Sequence, residues 1–136
     1  GTNDLSMWYN GALRGVYNNA TGNYASLSDR RFKKDIVDFN YGISTVLQLN
    51  PYKYHYLDNA GNSPLSVGFM AQDVEKIYPE AVHKTIDKEG KIIYTLDYQT
   101  MNVLTIKAIK DQQQIIDKQQ KTIDDLLKRV EKLEQK

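Results

Sequence analysis

One short basic stretch, residues 28–34, carries the residue types best suited to chemistry. It reads Ser-Asp-Arg-Arg-Phe-Lys-Lys, so the hydroxyl of Ser28 lies five positions before the amine of Lys33. A serine hydroxyl is a weak nucleophile until a neighbouring base takes its proton, and a neutral lysine amine can be that base. The stretch therefore offers a candidate Ser/Lys dyad for attack on a carbonyl group.

The base must be neutral, and this sets a strong condition on its surroundings. A free lysine has a pKa of about 10.4. Catalysis near neutral pH requires this pKa to fall by roughly two to three pH units, which corresponds to a free energy of about 3 to 4 kcal/mol. Burial in a subunit interface would favour the neutral amine, as would repulsion from Arg30, Arg31 and Lys34. The carboxylate of Asp29 would act in the opposite direction if it came close to Lys33.

The spacing also constrains the local fold. Five residues along a regular α-helix turn through roughly 140°, so Ser28 and Lys33 would not share a helix face. We therefore expect Ser28 on a turn or at an N-cap, with a helix beginning after it. Backbone N–H groups at that helix start are the candidate donors to an oxyanion. The plain alternative is that Ser28 only caps a helix whose first turn is basic and solvated.

Other residues with catalytic or metal-binding potential are less well placed. His55 alternates with tyrosines, His83 lies in a charged stretch, and neither has a second ligand at metal spacing, so we expect structural roles. Asp73 and Glu75 are two apart on a predicted helix and face different ways, which makes a poor acid/base pair. No glycine-rich phosphate loop follows a strand. We expect no metal and no cofactor.

Composition narrows the class of protein. The 136 residues are 40% hydrophobic and 26% charged, enough for one domain or a small domain with an extended element. The net charge of +1 gives no field that would attract nucleic acid or anionic lipid. No apolar run approaches the ~20 residues that span a bilayer. We expect no nucleic-acid partner and no membrane partner. The small core makes oligomerisation a natural supplement.

The chain divides into three parts at residues 1–27, 28–98 and 99–136. The first is an Asn/Gly-rich leader with strand-like runs at 5–9 and 13–17, which is either a frayed terminus or hairpin, or the end of a fibrous protein upstream of a processing point. The middle part predicts an α+β core with a small antiparallel sheet. Its expected elements are a helix over 33–49, a hairpin of strands 52–57 and 66–70 around a turn at 58–62, a helix over 71–77, and a hairpin of strands 81–86 and 92–96.

The last part predicts one long helix with a coiled-coil repeat. From about Thr100 onward it contains no Gly or Pro. Four successive heptads place β-branched residues at every a position, a pattern typical of a coiled coil. A parallel trimer is favoured over a dimer, but the heptads alone do not decide the number of strands. The predicted a residues are Ile109, Ile116, Ile123 and Val130, and the d residues are Gln112, Gln119, Leu126 and Leu133. The glutamines weaken the seam, so the alternatives are packing on the chain's own domain through Ile115 and Ile116, or a solvated single helix.

An ordered set of short motifs now supports a family resemblance. The chain resembles the C-terminal intramolecular chaperone domain of phage tail fibres, tailspikes and endosialidases, a family classed as self-cleaving peptidases, with a related module in the myelin regulatory factor. The motifs are Ser28-Asp29-x-Arg31-x-Lys33, Leu49-x-Pro51-x-x-Tyr54-x-Tyr56, Gly68-Phe69-x-Ala71-Gln72-Asp73-Val74, Pro79-Glu80-x-Val82, Tyr94-x-Leu96-Asp97-Tyr98 and Ala108-Ile109-Lys110. Residues 1–27 lie outside the resemblance.

The resemblance implies a homotrimer whose long helices bundle, and whose core templates assembly of the upstream fibre segment of the same polypeptide. It implies that Ser28 and Lys33 form the dyad, and that trimerisation triggers cleavage beside Ser28, at Ser28–Asp29. Assembly would take place in the bacterial host cytoplasm and the parent protein would reside on the virion tail. Two rival hypotheses remain: a permanent trimeric cap with an inert dyad, and a coiled-coil-tethered module whose tyrosine-rich strands bind a ligand.

Overall fold

A computed structural model describes residues 4–57 and 64–135. Contacts divide the chain into two compact units, unit 1 over residues 1–39 and unit 2 over residues 40–136. Each unit is described by itself below. The turn predicted at 58–62 lies outside the described residues.

Unit 1 contains a three-stranded antiparallel sheet in the order β1-β2-β3. The strands are β1 Leu5–Tyr9, β2 Ala12–Asn18 and β3 Asn23–Ser26. Asn10 and Gly11 connect β1 to β2 with positive φ angles of 48° and 74°, the conformation that tight hairpin turns require. The hairpin expected in the leader is therefore present, and a third strand that the sequence analysis missed extends it.

The helix predicted over residues 33–49 is wrong. After β3 the chain makes a short 3₁₀ turn, Arg30–Phe32, and the next helix is only α1, Ile43–Val46. Lys33 has an extended backbone at φ −113° and ψ 137°, and Asp35 lies in the left-handed region at φ 52°. Neither conformation belongs to an α-helix. The apolar residues in this segment have helical spacing, but only those of Ile43–Val46 lie in an α-helix.

Unit 2 is built from two separate β-hairpins, three helices and a second 3₁₀ turn. In chain order its elements are α1, β4 Tyr52–Tyr54, β5 Ser66–Gly68, α2 Ala71–Ile77, the 3₁₀ turn Pro79–Ala81, β6 Val82–Ile86, β7 Ile92–Leu96 and α3 Tyr98–Glu134. Strand β4 pairs with β5 and β6 pairs with β7, both antiparallel. The α+β prediction, with small antiparallel sheets and a long C-terminal helix, is confirmed.

The hydrophobic core of unit 2 gathers around α2 and the first turns of α3. Its buried apolar side chains are Val74, Tyr78, Ala81, Met101, Leu104 and Ala108. The three from α3 recur at three- and four-residue spacing, so they form one apolar face of the helix. The Tyr78 ring packs against Tyr41 with centroids 4.6 Å apart. The hydroxyl of Tyr41 donates a hydrogen bond of 2.9 Å to Glu80, which ties the segment before α1 to the 3₁₀ turn.

Helix α3 begins inside this core and then leaves it. Asp97 caps the helix by accepting hydrogen bonds from the backbone N–H groups of Gln99 and Thr100. From residue 112 to residue 135 every side chain is exposed. At 1.5 Å per residue the 37-residue helix is roughly 55 Å long. Within residues 4–57 and 64–135, no helix is both long and apolar enough to cross a membrane.

Candidate functional site

The two residues of the candidate dyad touch. Nζ of Lys33 donates a hydrogen bond of 2.9 Å to Oγ of Ser28. The backbone between them is extended at Asp29 (φ −65°, ψ 129°), turns through Arg30–Phe32, and is extended again at Lys33. A 3₁₀ turn flanked by extended residues thus brings together two side chains that a continuous α-helix would separate. The distance is within hydrogen-bonding reach for proton transfer.

Asp29, not Ser28, caps this turn. Its Oδ1 accepts a 2.9 Å hydrogen bond from the backbone N–H of Arg31. The guanidinium of Arg31 also holds the carboxylate, with Nε 3.1 Å from both oxygens and Nη2 2.6 Å from Oδ2. The side-chain bond from Arg31, followed by its backbone bond, lowers the pKa of Asp29. Since Asp29 does the capping, the alternative in which Ser28 is a plain N-cap is wrong.

The basic neighbours of Lys33 do not act alike. Arg31 is engaged with Asp29, an interaction that also raises the pKa of the arginine. Arg30 and Lys34 are exposed, and Nζ of Lys34 lies 4.0 Å from a carboxylate oxygen of Asp35. Of the three positive charges that the sequence places near Lys33, one is therefore matched by a bidentate carboxylate contact.

The dyad is exposed in the single chain, and so is the apolar surface beside it. Ser28 and Lys33 are both exposed. The neighbouring side chains of Phe32, Ile36 and Val37 are 70%, 60% and 85% exposed. Large apolar side chains this open and close together in sequence are typical of a surface that another chain covers. The single chain therefore has the contact of a dyad without the burial that the chemistry requires.

Backbone N–H groups of the turn are the candidate oxyanion donors. Those of Arg31, Phe32 and Lys33 donate to Asp29 Oδ1, to the Asp29 carbonyl and to the Arg30 carbonyl, respectively. These three N–H groups already make the hydrogen bonds that hold the turn together, so they are not available to an oxyanion. The N–H groups of Asp29 and Arg30 precede these bonds and make none within the turn. The Asp29 N–H belongs to the Ser28–Asp29 bond that is expected to be cut, so the Arg30 amide is the remaining candidate donor in the turn.

Helix α3 presents an exposed apolar stripe. The exposed fraction is 60% for Ile109, 47% for Ile116, 49% for Ile123 and 48% for Val130, the residues expected at the a positions. It is 50% for Leu126 and 69% for Leu133, the two leucines expected at d. Ile115 is 45% exposed and Ile116 is also open, so the alternative in which they pack on their own domain is wrong.

The two acidic candidates of α2 each pair with a lysine. Asp73 forms an ion pair with Lys76 at 3.1 Å, and Glu75 forms one with Lys84 at 2.5 Å. These pairs hold α2 and tie it to β6. Over residues 4–57 and 64–135, no group of three His, Asp or Glu side chains is arranged to hold a metal ion.

An open groove of about 860 Å³ lies between the two hairpins of unit 2. Its aromatic lining comes mainly from four tyrosines, Tyr54, Tyr56, Tyr94 and Tyr98. The rings of Tyr54 and Tyr56 meet edge to face with centroids 5.3 Å apart. The hydroxyl of Tyr98 accepts a 3.4 Å hydrogen bond from the backbone N–H of Phe69, which joins α3 to the loop after β5. These aromatic contacts link the elements of the core.

Two anchoring carboxylates escaped the sequence analysis. Asp97 caps α3, and Asp111 on α3 accepts a 3.2 Å hydrogen bond from the backbone N–H of Ile43 at the start of α1. The first had a local signal, because an aspartate three residues before a threonine is a common N-cap pattern. The second had none, because its partner lies 68 residues away.

Comparison with known proteins supports the resemblance drawn from the sequence. The family model described as "chaperone of endosialidase" matches residues 28–83, a span that starts at Ser28 and contains Lys33. Over these residues the chain is similar to that family, which confirms the resemblance. The match supplies no geometry of its own, so the arrangement of the dyad rests on the contacts described above.

The curated relatives are long tail fibre proteins of phages. Long tail fiber protein Gp37 of Enterobacteria phage Ox2 is 32% identical over 102 residues, covering 70% of this chain and 40% of that protein. Long tail fiber protein Gp37 of Enterobacteria phage M1 is 33% identical over 88 residues, covering 62% of this chain and 35% of that protein. The Gp37 protein of Enterobacteria phage T2 is 29% identical over 103 residues, covering 74% of this chain and 8% of that protein. The chain thus spans 40% or less of these relatives.

Proposed function

We propose that this chain is an intramolecular chaperone that assembles an upstream tail-fibre segment as a homotrimer and then cuts itself off beside Ser28. The single observation that carries the proposal is the 2.9 Å hydrogen bond between Lys33 and Ser28, at the residue where the family match begins. Residues 1–27 would be the end of the fibre, 28–98 the chaperone core and 99–136 the trimerisation helix. The family description and the long tail fibre relatives support the chaperone role.

The trimer is supported by surfaces that the single chain leaves open. The aliphatic stripe of α3 repeats every seven residues, and in water such a stripe gains most by packing against copies of itself. Leu127 lies beside it and is 55% exposed, so the apolar face is wider than an a/d seam alone. A wide face is better covered by two neighbouring helices than by one. Assembly would take place in the host cytoplasm, and the fibre would go to the virion tail.

The proposed chemistry uses one water molecule and groups of this polypeptide, supplied by one copy or by neighbouring copies. Neutral Lys33 accepts the hydroxyl proton of Ser28, and the serine oxygen attacks a peptide carbonyl carbon. The Lys33 ammonium then donates its proton to the departing nitrogen as the C–N bond breaks, which leaves an ester on the serine oxygen. Water hydrolyses the ester. The products are a leader with a new carboxylate and a core with a new amine, so one bond is cut for one water consumed.

Assembly would switch the dyad on by removing water from it. An exposed lysine amine is well solvated as the ammonium, which cannot accept a proton. Contact between copies through Phe32, Ile36 and Val37 would exclude water from Lys33 and disfavour its charged form. Cleavage would then follow trimerisation and would not precede it. The rival permanent cap has the same trimer but no cutting.

The position of the cut bond indicates whether the serine hydroxyl comes from the same chain or from a neighbouring copy. We place the cut at Ser28–Asp29. The hydroxyl of Ser28 reaches its own carbonyl only through a strained four-membered ring, whereas the Leu27 carbonyl is reached through a five-membered ring. Cleavage at Ser28–Asp29 therefore favours a hydroxyl supplied by a neighbouring copy, and cleavage at Leu27–Ser28 one from the same chain. The two leader fragments differ by one serine residue in mass.

Intact mass and a denaturing gel test the proposal. The wild-type chain is expected to give a leader of about three kilodaltons and a core that begins at Asp29, at roughly 110 Da per residue. Ser28→Ala should leave the chain uncut. The matched control is Lys34→Ala, which removes a neighbouring lysine that is not in contact with Ser28, and it should be cut like the wild type. A wild-type trimer that stays uncut would establish the permanent cap instead.

A further inference from the structure

The side chains of Asp29 and Arg31 lie within the candidate dyad's own turn and bond to each other, whereas Lys33 Nζ bonds to Ser28 Oγ. The carboxylate of Asp29 accepts the backbone N–H of Arg31 at 2.9 Å and three contacts from its guanidinium at 3.1, 3.1 and 2.6 Å. We propose that this pair positions the dyad: Asp29 holds the turn that carries Lys33 back to Ser28, and Arg31 holds the Asp29 charge away from the Lys33 amine. The inference rests on the proposed self-cleavage.

The first half of this role is geometric. The turn is closed by hydrogen bonds from the Phe32 N–H to the Asp29 carbonyl and from the Lys33 N–H to the Arg30 carbonyl, each 3.1 Å. A 3₁₀ turn of three residues is weak by itself. The carboxylate cap adds a charge-assisted bond at its open end. Without the cap, Lys33 would lose the backbone direction that carries its side chain to Ser28.

The second half of the role is electrostatic. Asp29 lies four residues before Lys33 in the dyad's own turn, and a carboxylate beside a lysine stabilises the ammonium that cannot act as a base. The guanidinium of Arg31 donates hydrogen bonds to both carboxylate oxygens of Asp29, so this carboxylate is already paired. Arg31 thus favours the neutral amine by withdrawing Asp29 from it. The sequence analysis had assigned Arg31 only a repulsive role.

The remaining charged groups around the dyad are the same in all the variants of Asp29 and Arg31. Arg30, Lys34 and Asp35 belong to the same segment, and Lys34 lies 4.0 Å from Asp35. Strand β2 adjoins Ser28 through the bond from the Leu27 N–H to the Arg14 carbonyl, and the Arg14 guanidinium lies over the Tyr9 ring, 5.8 Å from its centroid. These groups set the wild-type pH profile, but they cancel in differences between variants.

The test is the pH dependence of cleavage in the full chain. Uncut chain is collected in denaturant and refolded at a series of pH values, and the released leader is followed by mass spectrometry. Each rate is divided by the fraction that has assembled, so that a folding defect does not count as a catalytic one. The variants are Arg31→Gln, Asp29→Asn, their double variant and Asp29→Ala. The matched control is Arg14→Gln, which removes an exposed arginine of unit 1 outside the dyad's turn.

The expected pattern is specific to the pair. Arg31→Gln should cut about fivefold more slowly near neutral pH, the size of an exposed ion-pair effect, and recover at alkaline pH where the amine is neutral anyway. Arg14→Gln should change the rate by less than about twofold. Adding Asp29→Asn to Arg31→Gln should restore the rate. Asp29→Ala should be about fivefold slower at every pH, because it removes the cap.

Two results would overturn the inference. One is an Arg31→Gln chain that is equally slow at all pH values and is not rescued by Asp29→Asn, since that would leave only a structural role. The other is an Arg31→Gln chain that behaves like Arg14→Gln. Failure of the underlying self-cleavage looks different: in that case Ser28→Ala is still cut, or the wild type is not cut at any pH.

Discussion

The carboxylate of Asp111, four turns into helix α3, accepts a 3.2 Å hydrogen bond from the backbone N–H of Ile43 at the start of α1. An ion pair with Lys107, one turn earlier on the same helix, holds the carboxylate in place. The bond fixes α1 to the long helix just before that helix leaves the core. It is thus a link between the core of unit 2 and the helix proposed to assemble it.

Replacing Asp111 should destabilise unit 2 in a pH-dependent way. Hydrogen bonding from Lys107, with a smaller contribution from the Ile43 N–H, lowers the pKa of Asp111 in the folded chain. A lowered folded pKa stabilises the fold above the unfolded value of about 3.9, and this contribution is lost as the pH falls through the folded pKa. The melting temperature of Asp111→Asn should therefore lie below that of the wild type near neutral pH and converge with it in acid.

The matched control for Asp111 is Asp117→Asn. Asp117 lies on the same helix but is exposed and accepts only from the Gln113 side chain, at 2.8 Å. Its substitution should leave the melting temperature within about a degree of the wild type, since isolated surface interactions contribute little. Equal destabilisation by the two substitutions would show that the bond to Ile43 carries no stability.

Gly42 should not tolerate a side chain. It is buried, and a Cβ built on it would overlap Oδ2 of Asp111. Gly42→Ala should therefore lower the free energy of unfolding by about 1 to 3 kcal/mol, as overpacking does elsewhere. Urea unfolding would measure this loss. In an Asp111→Ala background the added loss from Gly42→Ala should be much smaller, and an unchanged loss would locate the strain elsewhere.

The cap of α3 gives a separate acid-sensitive contribution. Asp97 accepts from the Thr100 hydroxyl at 2.8 Å and from two backbone N–H groups, and the Thr100 side-chain bond is the main reason that its pKa is lowered. Asp97→Ala should cost about 1 kcal/mol near neutral pH, measured by urea unfolding. Because the folded pKa is lowered, the wild type should lose this advantage below about pH 4. Asp124→Ala, at an exposed mid-helix position, should cost less, and an equal cost would argue against the cap.

The apolar stripe of α3 should decide assembly. Ile123→Asp places a charge where the proposed trimer buries an aliphatic side chain, so it should convert trimer to monomer at micromolar concentration in sedimentation or native mass measurements. Lys121→Asp lies on the outer face of the helix and should leave the trimer intact. If assembly controls the dyad, the Ile123→Asp chain should also stay uncut. A wild-type chain that is monomeric under these conditions would contradict the trimer.

Local signals explain which elements the sequence predicts well. Helix α2 was predicted with its observed bounds because Pro79 and the apolar spacing before it are both local. The hairpin of β6 and β7 was predicted because Gly90 supplies a turn residue, and it does adopt a φ of 81°. Strand β3 was missed because its four residues, Asn23–Ser26, are all exposed and show no alternation.

The candidate site was only partly predictable, because some of its contacts and backbone conformations have no local signal in the sequence. The contact between Lys33 and Ser28 follows from the spacing, the helix-rotation argument and the family motif together. The prediction of a helix over residues 33–49 was wrong, because residue spacing does not reveal that Asp35 takes a left-handed backbone conformation. Spacing also does not say which partner a charged group chooses. The bidentate contact of Arg31 with Asp29 therefore emerged only from the structure.

The most direct test of the central claim is chemical rescue of the base. In the Lys33→Ala chain a small primary amine such as ethylamine is added to the assembled protein, and cleavage is followed by intact mass. We expect no cutting without the amine, cutting that rises with amine concentration, and none at any concentration in Lys33→Arg, whose guanidinium stays charged. Cutting of Lys33→Ala at the wild-type rate without amine, or cutting of Lys33→Arg, would contradict Lys33 as the base that activates Ser28.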